Sequence, residues 1–376
     1  MRMPPSFPPR SEPVAPNNKR WMMVGAALIS FSSAVIVLLT PAEQRGVNTF
    51  AVAAAITLLL LMAWLTRMLW YRCARHNCSF HQQLVKYEEQ QWWSQHRQTA
   101  GLQDVVLLGA AGSEPQHWYR LLLREHRPLQ PVAELNGQAL RLPQVVNKSQ
   151  SARETQLARL LVMQWREQRP DVLRSSPKLC FWQGTQEAWQ AFIQQASVTF
   201  PELSLPEYPE CWRGEASLSA AIEKMAVATT DQTILIAGSG SQLGAASGDL
   251  PAGEAAVLWL LGREGEMQLT RGEICHSGDA VALSAACIRA LEQSEISDPP
   301  DACLLFELPE NDMPAACGWN LTHHLQDGNW GRTGDMEALV AISLAALNTQ
   351  QQGEPSGWIA RNPVAGYTTG IVKTYG

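Results

Sequence analysis

Hydrophobic positions along the chain follow two patterns. In residues 21–40 and 46–66 they are continuous and uncharged, and about 20 such residues make a helix long enough to cross roughly 30 Å of hydrocarbon. The first stretch is too long for a secretory leader and is followed by a second stretch, not by a small-residue cleavage site. Both are therefore expected to remain as a transmembrane helical hairpin. After residue 101 the apolar residues recur in short runs instead. Runs at 104–109, 178–182, 233–237, 255–261, 266–270, 302–308, 358–360 and 370–374 predict strands, several apolar throughout, as strands covered on both faces require. Spacings of three and four at 116–125, 154–167, 187–195, 218–226, 279–294 and 335–349 predict helices. The alternation predicts an α/β domain over residues 101–376, layered with helices on both sides of a buried sheet.

Polar residues organise the rest. Residues 1–20 carry Pro4, Pro5, Pro8, Pro9, Pro13 and Pro16, a composition that predicts a flexible tail because it buries too little apolar surface to order itself. Residues 71–100, rich in Gln, Glu, His and Arg with Leu84, Tyr87 and Trp92 near helical spacing, predict a stalk helix. Arg2, Arg10, Lys19 and Arg20 precede the first span and Arg67, Arg72 and Arg75 follow the second, whereas the link holds only Arg45, offset by Glu43. That asymmetry places both chain ends on the cytoplasmic side. Trp21, Trp64 and Trp70 stand near span ends, where an indole buries its ring and keeps its N–H wet.

Net charge is -6, which argues against nucleic-acid binding through a basic face. The eight cysteines lack the dense spacing of a secreted disulfide scaffold, and a reducing cytoplasm fits them.

The last third carries a resemblance. Gly253-Glu254-Ala255-Ala256 running into an apolar strand resembles the Gly-Glu-Gly-Ala strand of β-ketoacyl synthases, members of the thiolase-like superfamily. Residues 286–295 followed by Pro299-Pro300-Asp301-Ala302 and the strand at 303–306 resemble the helix and strand that lead to that family's first catalytic histidine. Gly331-Arg332-Thr333-Gly334-Asp335 resembles the Gly-rich turn near its second. The resemblance implies a thiolase-like fold with a second repeat over about residues 250–376, the other repeat starting at the strand at 104–109, and dimerisation through a sheet edge. It also implies Claisen chemistry, which needs a cysteine at a helix N-terminus and two imidazoles around an enolate oxygen. Here the departures begin. The strand at 303–306 runs into Glu307-Leu308-Pro309-Glu310, and the second histidine's place falls near Asp327-Gly328, with His323-His324 one helical turn away. Cys180 falls within a predicted strand and Cys211 within a proline-rich loop, so neither is expected at a strand-to-helix elbow.

Other candidates are weaker. Cys73, His76, Cys78 and His81 form the best metal-ligand cluster, in spacing tighter than common zinc modules. Gly238-Ser239-Gly240-Ser241-Gln242-Leu243-Gly244 follows a strand but matches no phosphate loop, and predicts a turn. Cys275-His276 is expected to be a loop pair without a catalytic role, and Asp279 a helix cap. No motif calls for a cofactor. Trp212, Trp319 and Trp330 fall in predicted loops and are the first choices for a partner-binding surface. The sequence thus predicts a bacterial inner-membrane protein whose thiolase-like domain has lost its chemistry and binds a protein partner. The layout resembles accessory proteins of type VI secretion that hold a lipase effector before export. The alternatives are a membrane-associated acyl-condensing or acyl-transfer enzyme, with Cys180 or Cys211 as nucleophile and His323 or His324 as oxyanion donor, and a structural subunit of a membrane complex.

Overall fold

The computed structural model describes residues 5–39, 41, 45–127, 129–170, 176–244, 250–275, 280–308, 318–321, 324–362 and 366–375. They divide into two compact units, residues 2–93 and residues 94–376.

The first unit is built on α1 (Asn18–Leu39) and α2 (Arg45–His96). Both are long and apolar enough to cross a membrane by length and composition, and neither buries its apolar window. The predicted span and stalk are one helix, because no glycine or proline interrupts the chain between Val47 and His96. The indole N–H of Trp64 donates to Asn18 Oδ1 at 3.1 Å. Residues 5–17 form no regular element, yet they run beside α2: the Arg10 carbonyl accepts from Cys78 Sγ at 3.8 Å and the Val14 carbonyl from Arg67 Nη2 at 3.5 Å.

The second unit begins with β1 (Ala100–Gly109), α3 (Pro115–Leu122), the hairpin β2 (Val132–Glu134) and β3 (Gly137–Ala139), and α4 (Gln150–Gln168). It continues with β4 (Leu179–Gln183), α5 (Gln186–Thr199), β5 (Glu210–Cys211), α6 (Glu215–Ala226), β6 (Ile234–Ser241) and β7 (Glu254–Gly262). Then come β8 (Met267–Leu269), β9 (Glu273–Cys275), α7 (Ala280–Ser294) and β10 (Ala302–Leu305). The chain finishes with α8 (Asp327–Trp330), a 3-10 turn (Gly334–Met336), α9 (Glu337–Gln352), β11 (Ser356–Asn362) and β12 (Gly366–Thr374).

Ten strands share one sheet in the order β10-β11-β12-β8-β1-β7-β6-β4-β5, with β9 paired to β12. The strand that sequence reading assigned to a second repeat, β7, sits between β1 and β6, so it closes the first group of strands and the second group starts at β8. β7 is buried along its whole length, and its alternate residues face two different cores. Ala255, Val257, Trp259 and Leu261 join α6 and α9, while Ala256, Leu258 and Leu260 join α4 and α5. A third cluster seats α7 against Cys303, Leu305, Ile359 and Ile371. α9 is buried at every residue from Leu339 to Thr349, because it packs among strands of both groups. That explains why its sequence is mostly apolar all round instead of along one stripe, with Ser343, Asn348 and Thr349 its hydrogen-bonded exceptions.

The predicted turn after β6 is part of the strand itself: Gly238, Ser239, Gly240 and Ser241 all pair with β7. Glycine is needed there because a Cβ on Gly240 would lie 2.8 Å from Met336 Cγ, and one on Gly238 2.6 Å from the Gln183 carbonyl oxygen.

Glu254 opens β7 and is fully buried among partners. It accepts from Arg153 Nε and Nη2 at 2.8 and 2.7 Å, from the Leu142 N–H at 2.7 Å and from Ser241 Oγ at 3.2 Å. Arg141 lies 3.6 Å from the same carboxylate and makes a two-pronged contact with Glu134 at 2.8 and 2.7 Å. The glutamate of the Gly-Glu-Ala-Ala motif thus ties α4 and the β2–β3 hairpin to the sheet.

Candidate functional site

The ends of both strand groups meet around a cavity of about 780 Å³, within the usual range for small-molecule sites. Its apolar wall includes Trp212, Leu218, Phe306, Ala338, Ile342 and Trp358, contributed by α6, α9, β11 and the segments beside them. The polar residues come from the passage between β5 and α6, the end of β10, the turn after α8, and β11.

The passage between β5 and α6 corrects the sequence reading. Cys211 does not sit in an irregular loop. It pairs with Trp182 at the sheet edge as the second residue of β5, and three residues later the chain turns into α6 through Gly214. A strand-to-helix elbow therefore exists, with Gly214 at its apex at φ 60° and ψ −131°, a conformation few residues but glycine adopt. A Cβ there would meet nothing within 4 Å. No side chain caps α6, although the Arg213 N–H donates to Ser217 Oγ at 2.9 Å, so the positive end of the helix stands at the cavity wall. The elbow leaves no periodic mark in the sequence pattern, because a two-residue strand with Pro206 and Pro209 on one side and a glycine on the other has no period to read. The signal available was Gly214-Glu215 opening the amphipathic run that sequence reading began only at Leu218.

Charge in the cavity is partly neutralised and partly open. Glu307, in the place where the resemblance calls for the first histidine, forms an ion pair with Arg361. The Arg361 N–H donates to Glu337 Oε1 at 2.8 Å, and burial pushes the Glu337 carboxyl above its ordinary range despite that bond and the nearby guanidinium. Burial likewise raises Glu215, against a hydrogen bond from Ser219, with Glu273 adding to the rise and Arg271 opposing it. Asp327 accepts the Gly328 N–H at 2.8 Å. Arg213 and Arg332 line the cavity exposed, without a side-chain partner among the described residues. Thr333 is 3 % exposed and its Oγ1 has no hydrogen-bond partner there.

The other candidates fall as follows. Cys180 faces the core behind β4, where burial pushes its thiol up to about 12, so it holds essentially no thiolate at neutral pH. Cys211 lines the cavity, its Sγ 3.6 Å from the Trp212 carbonyl oxygen. His324 is not among the described cavity-lining residues. His323, His276 and Asp279 lie outside the described residues, while Cys275 is buried in β9. Cys73, His76, Cys78 and His81 share α2 but spread over roughly 200° of its circumference at 100° per residue, and among the described residues no group of three metal-ligand side chains converges.

The three tryptophans expected on a binding surface are buried: Trp212 at 5 %, Trp319 at 1 % and Trp330 at 1 % exposure. Trp212 follows β5 directly, Trp319 lies in a loop and Trp330 ends α8 instead of lying in a loop, and all three point inward. Trp212 packs edge-on against Phe181 and Trp259, Trp330 stacks on Trp118 at 5.1 Å, and Trp319 covers Gly357, whose absent Cβ would lie 2.6 Å from the ring. Trp212 alone of the three lines the cavity.

No family model matches the chain, and no curated protein matches it in sequence. Solved structures do resemble it. A ketosynthase from module 6 of the bacillaene synthase of Bacillus subtilis 168 superposes with a TM-score of 0.54 at 10% identity, covering 74% of this chain and 70% of that one. A keto synthase-chain length factor, PfaC, gives 0.52 at 10% identity, covering 74% of this chain and 43% of that one. The ketosynthase from module 1 of the bacillaene synthase of Bacillus amyloliquefaciens FZB42 gives 0.50 at 8% identity, with 75% and 77% covered. Identities this low establish architecture and nothing of activity. The mixed α/β unit of this chain has a ketosynthase-like, thiolase-like fold.

Proposed function

We propose that this chain is an adaptor anchored in a bacterial inner membrane by the α1–α2 hairpin, with both ends cytoplasmic, whose thiolase-like unit binds a protein partner and performs no condensation. One observation carries the reading: the apex of the strand-to-helix elbow at the cavity is Gly214, where the resemblance requires a cysteine thiolate. The Glu307–Arg361 pair in the first histidine's place supports it, since a carboxylate does not stabilise an enolate oxygen. A secreted effector of the type VI class, such as a lipase held before export, is the partner that the overall layout favours.

The test is affinity capture from detergent-solubilised membranes with mass spectrometry of the bound proteins. Recovery of a secreted effector, in less than stoichiometric amounts, is the expected outcome. Stoichiometric recovery of membrane-complex subunits alone would assign the chain a structural role instead. A second reading rests on Cys211, whose exposed thiol lines the cavity: the unit would then transfer acyl groups. A thiol-reactive acyl probe distinguishes it. Labelling lost in Cys211→Ala would favour transfer, and the adaptor reading expects no turnover of the labelled thioester.

A further inference from the structure

The stretch of α2 that follows the apolar span carries cationic groups that the protein itself leaves unused. From Glu43 to Glu88 the chain holds no other acidic residue, while Arg67, Arg72 and Arg75 follow the span within nine residues of Thr66. Arg67 is engaged: its guanidinium lies 4.5 Å over the Trp70 ring and donates to the Val14 carbonyl. Arg72 and Arg75 are exposed and have no partner among the described residues. They line a groove of about 600 Å³ together with Met68, Tyr71, His76 and Ser79, all on one face of α2.

Position decides what the groove meets. At 1.5 Å per residue Arg72 and Arg75 stand about 9 and 13.5 Å beyond Thr66, and the polar layer of a bilayer leaflet is about 5 to 8 Å deep. Helix side chains lean toward the helix N-terminus, which for this helix is the bilayer, and arginine stems of this length extend back to the headgroup level. Planar guanidiniums match a phosphodiester with two parallel hydrogen bonds each. We propose that this groove seats the phosphodiester headgroup of an anionic phospholipid in the cytoplasmic leaflet, held by Arg72 and Arg75 with Tyr71 and His76 beside them. The site rests on the membrane-spanning part of the proposed function.

The experiment uses the full chain purified in mild detergent, with retention of added phosphatidylglycerol and phosphatidylcholine compared by native mass spectrometry. Phosphatidylglycerol should be retained in preference. Arg72→Gln should weaken that retention about fivefold and Arg72→Gln with Arg75→Gln about 25-fold, following the usual contribution of one basic residue near an anionic surface. Lys86→Gln should change nothing, since Lys86 lies about 30 Å past Thr66, several screening lengths away. Equal retention of the two lipids, an unaffected double variant, or an equal loss in Lys86→Gln would each overturn the site. Alkaline extraction of membranes separates the two readings. Release of the chain into the soluble fraction overturns the spanning hairpin and the site together, whereas a chain that stays in the membrane without lipid preference overturns the site alone. The exposed variants should match the parent in extraction and in unfolding midpoint, which excludes misfolding as the cause.

Discussion

Glu254 opens β7 and Gly214 follows β5, two strands of one sheet with β6 and β4 between them, and their surroundings are opposites. Around Glu254 the charges are consumed: one carboxylate takes both prongs of Arg153, the Leu142 amide and Ser241, and Arg141 is shared between it and Glu134. Around Gly214 the polar groups are available: Arg213 and Arg332 have no side-chain partner among the described residues, Thr333 Oγ1 accepts and donates nothing, and α6 begins without a capping side chain. Buried polar groups cost stability unless they are satisfied. A fold that satisfies them in one place and leaves them open in another separates what holds it together from what it presents to other molecules.

The largest effect should come from breaking the first region. Glu254→Ala takes from the buried Arg153 guanidinium its only carboxylate partner among the described residues and leaves Arg141 with the Glu134 carboxylate, and should cost about 3 to 5 kcal/mol, read as a lower denaturant midpoint by tryptophan fluorescence. A loss under about 1 kcal/mol would mean that the network holds little and the contrast is false. Gly214→Ala should cost about 1 to 3 kcal/mol from the backbone conformation alone, because the new methyl meets open space. A loss as large as that of Glu254→Ala would show a packed elbow instead. Arg213→Ala combined with Arg332→Ala should move stability by no more than about 0.5 kcal/mol while, under the proposed adaptor function, reducing capture of the proposed partner, which sharpens the contrast from the other side.

The smallest effect is a pH dependence. Burial holds Glu215 above the ordinary carboxylate range, so the folded chain binds its proton more readily than the unfolded chain does. Its contribution is then most favourable below that range and declines as pH rises toward and through the raised folded value. Glu215→Gln should therefore unfold at a higher midpoint than the parent at pH 7, with the two converging in acid. A variant less stable than the parent at pH 7 would reverse the sign.

Much of this fold could be read from periodicity, and what could not follows a physical rule. β7, the first half of β6 and the mostly apolar α9 stand out because burial on two faces removes most polar positions. The two-residue β5 and the three-residue β9 are set by pairing with neighbours distant in sequence, which no local window contains. The same holds for the site. The residues that stand where the resemblance expects histidines, Glu307 and those near Asp327, are legible in the sequence. The elbow at Gly214 is not, nor are the inward turns that bury Trp319 and Trp330, because tertiary packing decides where an indole goes.

The bend at Gly214 amounts to an empty socket. Its backbone already aims a side chain from the start of a helix toward unoccupied volume, so a cysteine or a photoreactive residue could be fitted there without displacing a neighbour. Whatever enters the cavity in a living cell would then report itself by becoming covalently attached.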